Sequence, residues 1–436
     1  MKLKLTVAAL AALAAVTTAH AQQKGPIRIG VLAPVTGPLA TPGKDMVEGW
    51  KLFWEQNKHM AGGRKVEYVV ADTTCNPDQA LTQARRLVHQ EKVHFLVGPL
   101  CGHEGPAVAQ VSKETGVPLV MDAAGADSVT KWDRTPTVVR TALSASQIGH
   151  PWGEYLYKDL GLRNVTFIGQ DYTFGHEVTL GAVRSFTELG GKVAKIIWNP
   201  IGTKDYGPTI SAIPADTDGV SAVVVGADRV RLFEAWFNFG MDKKKKIYGG
   251  YWMHQDALPQ MDDRAIGMIG NSLHYAPGLD TPENKAFTDA FAKKYKRLPS
   301  WFAESAYTAG LWSKTALDAI GGKVEDSAAF LNAVRKAEIK APRAFPRDPS
   351  INATRAKRDS MRIINIAVTR ATQAFQLFDQ FRVVLLDRIK KTVSGTVAET
   401  VRVVRGDGWV PFQPSPHAFM RARLRPSSCT CRACAG

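Results

Sequence analysis

Short apolar runs alternate with amphipathic stretches from residue 27 to about residue 320. Ile27-Arg28-Ile29-Gly30-Val31-Leu32 is almost continuously apolar, the pattern of a strand covered on both faces. A Gly/Pro/Thr loop from Pro34 to Gly43 follows, then an amphipathic helix from about Lys44 to Gln56. Lys65 to Ala71 reads as the next strand. Asn76-Pro77-Asp78 starts a helix, with Asn as N-cap, Pro in the first turn and an acid beside it. His94 to Val97 and Pro118 to Met121 read as further strands. The alternation then repeats. Strands are expected at Asn164 to Ile168, Lys192 to Trp198, Ser221 to Val225 and Ile247 to Tyr248, with helices at Gly175 to Glu188 and Arg229 to Phe239. Later helices near Pro282 to Lys296 and Phe302 to Ile320 are expected to return to the first group of strands. Such strand–helix repeats with short loops predict an α/β fold of two Rossmann-like lobes with parallel sheets.

Composition changes this picture at both ends. Met1 to Ala21 has Lys2 and Lys4, an apolar run from Leu5 to Val16 that is short for a membrane span, and a small-x-small site at Ala19-His20-Ala21. It reads as a signal peptide cleaved after Ala21, which implies export to a periplasm where disulfides form. A buried N-terminal helix is the alternative. The formal charge of +16 suggests nucleic-acid binding at first sight. However, residues 344–436 hold 16 Lys and Arg against 6 Asp and Glu, so +10 of the +16 lies there. The body is only mildly basic, and no nucleic-acid partner is expected. All ten Tyr precede that region, which ends in Cys429, Cys431 and Cys434. Residues 343–436 read as an anomalous Arg-rich tail, frameshifted or misassembled, the alternative being a genuine basic appendage. Three cysteines at poor spacing do not predict a metal site. The resulting organisation is a signal peptide (1–21), a first lobe (22–141 and 276–342), a second lobe (142–275) and the tail.

Several ordered motifs carry a resemblance. Ile29-Gly30-Val31-Leu32-Ala33-Pro34-Val35-Thr36-Gly37-Pro38 is followed by Asp72-Thr73-Thr74-Cys75-Asn76-Pro77-Asp78-Gln79-Ala80 and by Val97-Gly98-Pro99-Leu100-Cys101. Ala123-Ala124-Gly125-Ala126-Asp127, Asp171-Tyr172-Thr173-Phe174-Gly175 and Lys204-Asp205-Tyr206 come next. Together they resemble the Leu/Ile/Val-type periplasmic solute-binding proteins of ABC transporters over roughly residues 27 to 340. The resemblance implies a type I periplasmic binding fold, two lobes joined by a multi-strand hinge. It also implies a binding component of an importer that captures a small organic acid or amino acid by hinge closure, as a monomer that docks on an ABC permease. A ligand-sensing receptor module of the same fold is the alternative. In this family, loops after adjacent strands are joined by a disulfide, which implies Cys75–Cys101, with two free buried thiols as the alternative.

The resemblance places the ligand at Gly102, His103, Ala124 and Ala126 on the first lobe, and at Tyr172 and Phe174 on the second. In parallel α/β sheets, ligands sit beyond the carboxyl ends of strands, and a helix start there suits a carboxylate. Gly102 stands where the family often has a small hydroxyl residue, and Ala126 where it often has Thr. His103 is expected to replace one contact as a donor; a solvent-exposed loop His is the alternative. Tyr172 and Phe174 would form an aromatic lid, or pack in the core. Near Gly249-Gly250-Tyr251-Trp252 the family usually carries a Glu for a ligand ammonium, and here the stretch is aromatic. Asp122, Asp127 and Asp228 are the candidate substitutes. Tyr251 and Trp252 suggest stacking on an aromatic acid, or hinge packing. No G-x-S-x-G, H-E-x-x-H or P-loop is present, so no enzyme activity and no cofactor are expected.

Overall fold

Buried on both faces, β1 (Ile27–Ala33) forms the middle of a six-stranded sheet. β3 (Arg64–Asp72) lies on one side of it, and β4 (Phe95–Val97), β5 (Leu119–Met121) and β6 (Val138–Arg140) on the other. These pairs are parallel; the short β2 (Met60–Ala61) adds to β3 in the antiparallel sense. The computed structural model describes residues 25–249, 260–261, 263–265, 268–270, 275–343, 401–405 and 408–412. Parallel neighbours need crossovers. The first three are α1 (Ala40–Gln56), α2 (Pro77–His89) and α3 (Glu104–Thr115). The N-cap expectation holds: Asn76 Oδ1 accepts from Asp78 N and Gln79 N at 2.9 and 3.0 Å.

The second sheet has the order β10-β9-β7-β8 and is wholly parallel. Its strands are β7 (Asn164–Gln170), β8 (Lys192–Asn199), β9 (Gly219–Val223) and β10 (Lys246–Gly249). Its helices are α4 (Ala145–Lys158), α5 (Thr173–Glu188), the short α6 (Gly207–Ser211) and α7 (Ala227–Asn238). Strand order reverses at β1 in one sheet and at β7 in the other, so each has a switch point where ligands characteristically bind. α4 was not expected from the pattern; it contains Gly149, Pro151 and Gly153. The two glycines let α5 approach: a Cβ at Gly149 would meet Val178 O at 2.2 Å, and one at Gly153 Ala182 O at 2.1 Å.

The late helices α8 (Pro282–Tyr295) and α9 (Trp301–Ala319) return to the first sheet, as expected, and pack on α1. Arg297 pairs with Asp45 at 2.5 Å, Tyr307 Oη donates to Gln56 at 2.8 Å, and the Phe53 and Tyr307 rings meet at 5.3 Å. α10 (Ser327–Lys336) follows, with Phe330 4.6 Å from Phe95. Arg343, assigned by the sequence to the tail, makes a buried two-pronged ion pair with Glu304 of α9 at 2.8 and 3.0 Å and donates to Thr141 O at 2.6 Å. Residue contacts divide the chain into Met1–Thr372 and Gln373–Gly436. Within the second unit, β11 (Val401–Arg405) and β12 (Gly408–Phe412) form an antiparallel hairpin. The remainder of the Arg-rich tail, with its terminal cysteines, and the signal peptide lie outside the described residues.

Candidate ligand-binding cleft

Loops at the carboxyl ends of the two sheets meet one another. After β3, Asp72 ties the loops together. Its carboxylate accepts from Val35 N at 2.9 Å, Thr74 N at 3.0 Å and Thr36 Oγ1 at 2.5 Å. Burial alone would raise the Asp72 pKa, but these donors hold it below the usual value. Thr74 and Cys75 take left-handed backbone (φ 53° and 59°). Cys75 is bonded to Cys101, with 5.6 Å between Cα atoms, so the loops after β3 and β4 are covalently clamped.

The clamp leads into the start of α3. Glu104 is fully buried in its first turn and accepts from Cys101 N at 2.9 Å. Burial pushes its carboxyl up to about 7. His103, just before it, turns Nε2 to Cys75 O at 3.0 Å. Its ring meets Tyr172, from the second sheet, edge to face at 5.2 Å. Tyr172 in turn lies 6.1 Å from Phe174, and burial, then Asp228 and Glu104, raise its phenol pKa.

Phe174 explains two glycines. A Cβ on Gly102 would lie 2.8 Å from Phe174 Cβ, and one on Gly125 would lie 2.8 Å from Phe174 Cδ2. No larger residue fits at either place while the two edges touch, since real Cβ atoms do not approach so closely. Gly102 thus makes room for the backbone and Cβ of Phe174, and Gly125 for its ring. Below the loop, Ala124 and Ala126 are fully buried in the first sheet's core. Arg140, at the end of β6, donates to both of their carbonyls, to that of Ala126 at 2.6 Å. Their carbonyls are therefore occupied from beneath. Burial lowers the Arg140 pKa to about 10.

A further crossing contact was not legible in the sequence. Glu177 of α5 accepts from Asp127 N at 3.0 and 3.2 Å. Its carboxyl is pushed up to about 7 by burial, with Asp127 adding to the rise. Among the three acids considered as ammonium partners, Asp127 pairs with Lys131 at 3.1 Å. Asp228 pairs with Arg231 and accepts from Gln170 Nε2 and Gly202 N, each at 2.8 Å. Asp122 is buried and held up at about 7 by desolvation. Tyr251 and Trp252 lie outside the described residues. No grouping of His, Cys, Asp and Glu fit to hold a metal occurs among the described residues.

Comparison with known proteins decides the family. The model of the periplasmic binding protein family matches residues 26–368. The chain belongs to the periplasmic binding protein family. Among its relatives, this periplasmic binding protein is 30% identical over 351 residues to the Leu/Ile/Val-binding protein homolog 6 of Brucella melitensis, covering 78% of this chain and 87% of that one. It superposes on an ABC transporter substrate-binding protein from Sphaerobacter thermophilus with a TM-score of 0.67 at 31% identity, over 73% of this chain and 87% of that one. A solute-binding protein of an R. palustris ABC transporter, in complex with 4-hydroxybenzoate, gives 0.68 at 27% identity, over 73% and 87%. The chain is thus of the branched-chain amino acid type of ABC binding proteins with the type I fold, and its relatives are transporter binding proteins rather than enzymes. Among the described residues no helix is long and apolar enough to cross a membrane.

Proposed function

We propose that this protein is the exported binding component of an ABC importer, with a first lobe of residues 22–141 and 276–342 and a second of 142–275. It captures a small organic acid between them. The observation that carries this reading is the meeting of the two sheet edges: Phe174 against Gly102 and Gly125, Tyr172 against His103, and Glu177 against Asp127 N. These contacts are those of a closed clamshell. Opening separates them and admits the solute, and closure buries it before docking on a membrane permease.

The ligand class follows from charge. An ammonium buried without a counter-charge is costly. Asp127 and Asp228 already serve other cations and donors, and Asp122 is held toward its neutral form. At the start of α3, Cys101 N is taken by Glu104, and Glu104 N and Gly105 N by Cys101 O and Gly102 O, which leaves Gly102 N and His103 N for a carboxylate. An aromatic acid therefore fits the cleft better than a free amino acid, in line with the hydroxybenzoate bound by the R. palustris relative. Removal of Met1 to Ala21 on export, a periplasmic location and a monomeric state belong to the same reading. The test is calorimetric titration of the purified protein with benzoate, hydroxybenzoates, leucine, valine and short amides. Saturable binding of aromatic acids with weak or no binding of leucine is expected. Tight leucine binding overturns the ligand class, and no binding by the whole panel overturns the function.

A further inference from the structure

His103 is held in one tautomer by its neighbours. A carbonyl oxygen only accepts, so the 3.0 Å contact to Cys75 O requires the proton on Nε2. That carbonyl is fixed in turn, by the Cys75–Cys101 bridge and by the left-handed backbone at Thr74 and Cys75. Burial lowers the imidazole pKa, and among the described residues no carboxylate forms an ion pair with it. The ring is neutral near pH 7, so Nδ1 carries a bare lone pair. Nδ1 is buried and has no hydrogen-bond partner among the described residues. It lies in the ring that Tyr172 covers from the opposite sheet edge.

Resting on the binding-protein reading above, we propose that His103 Nδ1 is a specificity determinant that selects ligands bearing a hydrogen-bond donor, such as a phenolic hydroxyl, over otherwise equal ligands without one. The sequence suggested His103 as a donor to the ligand; its one N–H instead faces the protein, which leaves Nδ1 as an unpaired buried acceptor. A ligand with a hydroxyl satisfies it. A ligand without one leaves a buried acceptor unpaired, the asymmetry by which sites built for a polar group reject apolar analogues.

The experiment uses the full chain and two readouts. Nitrogen-15 spectra of the imidazoles report the tautomer without any ligand, and calorimetry compares 4-hydroxybenzoate, 3,4-dihydroxybenzoate, 4-methoxybenzoate and benzoate. An Nε2–H ring at pH 7 and a preference of about tenfold or more (~1.4 kcal/mol) for a hydroxylated probe are expected. His103→Phe should remove the preference by weakening the hydroxylated probe alone. His103→Gln, whose amide can donate to Cys75 O and still accept, should restore much of it. An Nδ1–H or doubly protonated ring, equal binding of all four probes, or a preference that survives in His103→Phe overturns the proposal. Failure of every probe and of leucine alike overturns the functional reading instead, whatever the tautomer.

Discussion

Gly102 shows how a single missing side chain can be a contact. Its hydrogen faces Phe174 at a spacing that admits no Cβ. Gly102→Val should therefore hinder closure while sparing each sheet, weakening ligand binding by about tenfold or more, the scale of ~1–3 kcal/mol for overpacking. Calorimetric titration beside a thermal melt checks this: binding should fall while the melting temperature changes little. Glu104 governs a different measurement. Its folded-state pKa is raised to about 7, above that of an unfolded Glu. The stability it contributes is thus fully present below pH 4 to 5 and is lost as pH rises through about 7. Melts from pH 5 to 8 should show stability falling with pH, in part through Asp122 and Glu177, which are raised in the same direction. Glu104→Gln keeps an acceptor for Cys101 N and should flatten that slope. An unchanged slope would show that Glu104 is ionised throughout.

At the scale of elements, the clamp between the loops after β3 and β4 makes a further prediction. Joint replacement Cys75→Ser and Cys101→Ser should lower unfolding stability by about 3 kcal/mol, read from urea denaturation, by the loop-entropy estimate. β1, β4, β5, β7 and β9 were plain in the sequence because they are covered on both faces, which demands apolar runs; β2 and β6, of two and three residues, were not read. Boundaries slipped where loop-forming residues enter helices: α1 begins at Ala40, not near Lys44, because Pro42 and Gly43 sit in its first turn. α4 was missed because it contains Gly149, Pro151 and Gly153, and its glycines answer to packing against α5 rather than to helix propensity. Tyr172 meets His103 and Phe174 meets Gly102 across the two sheets. Arg140 and Glu177 were not foreseen. A lone Arg closing the apolar Val138-Val139-Arg140 strand was the available sign of the first. Glu177 gave none, since its partner is a backbone N–H 50 residues away.

For the whole molecule, Arg343 matters more than its position suggests. It joins α9 to the segment at Thr141, where the chain leaves the first sheet for the second. Arg343→Met leaves Glu304 buried without its guanidinium. The expected cost is ~3–5 kcal/mol, as for other buried pairs broken from one side, and a lowered melting temperature measures it. A stability unchanged within ~0.5 kcal/mol would mean that Glu304 is satisfied by other partners. One hydrophobic cluster holds residues of both halves, from Trp50, Trp312, Leu39 and Leu100 to Phe174, Val223 and Val225, while three others are confined to one sheet or the other. The opening proposed above would expose part of that cluster to water, at a free-energy cost.

The Cys75–Cys101 bridge also turns preparation into an experimental variable. The carbonyl that orients His103 belongs to Cys75, so material made in a reducing cytoplasm lacks the covalent anchor for that ring. On the His103 proposal, such a sample should rank its ligands differently from the oxidised protein. Two laboratories could then report different preferences for one gene product, and a thiol count on each batch would reconcile them.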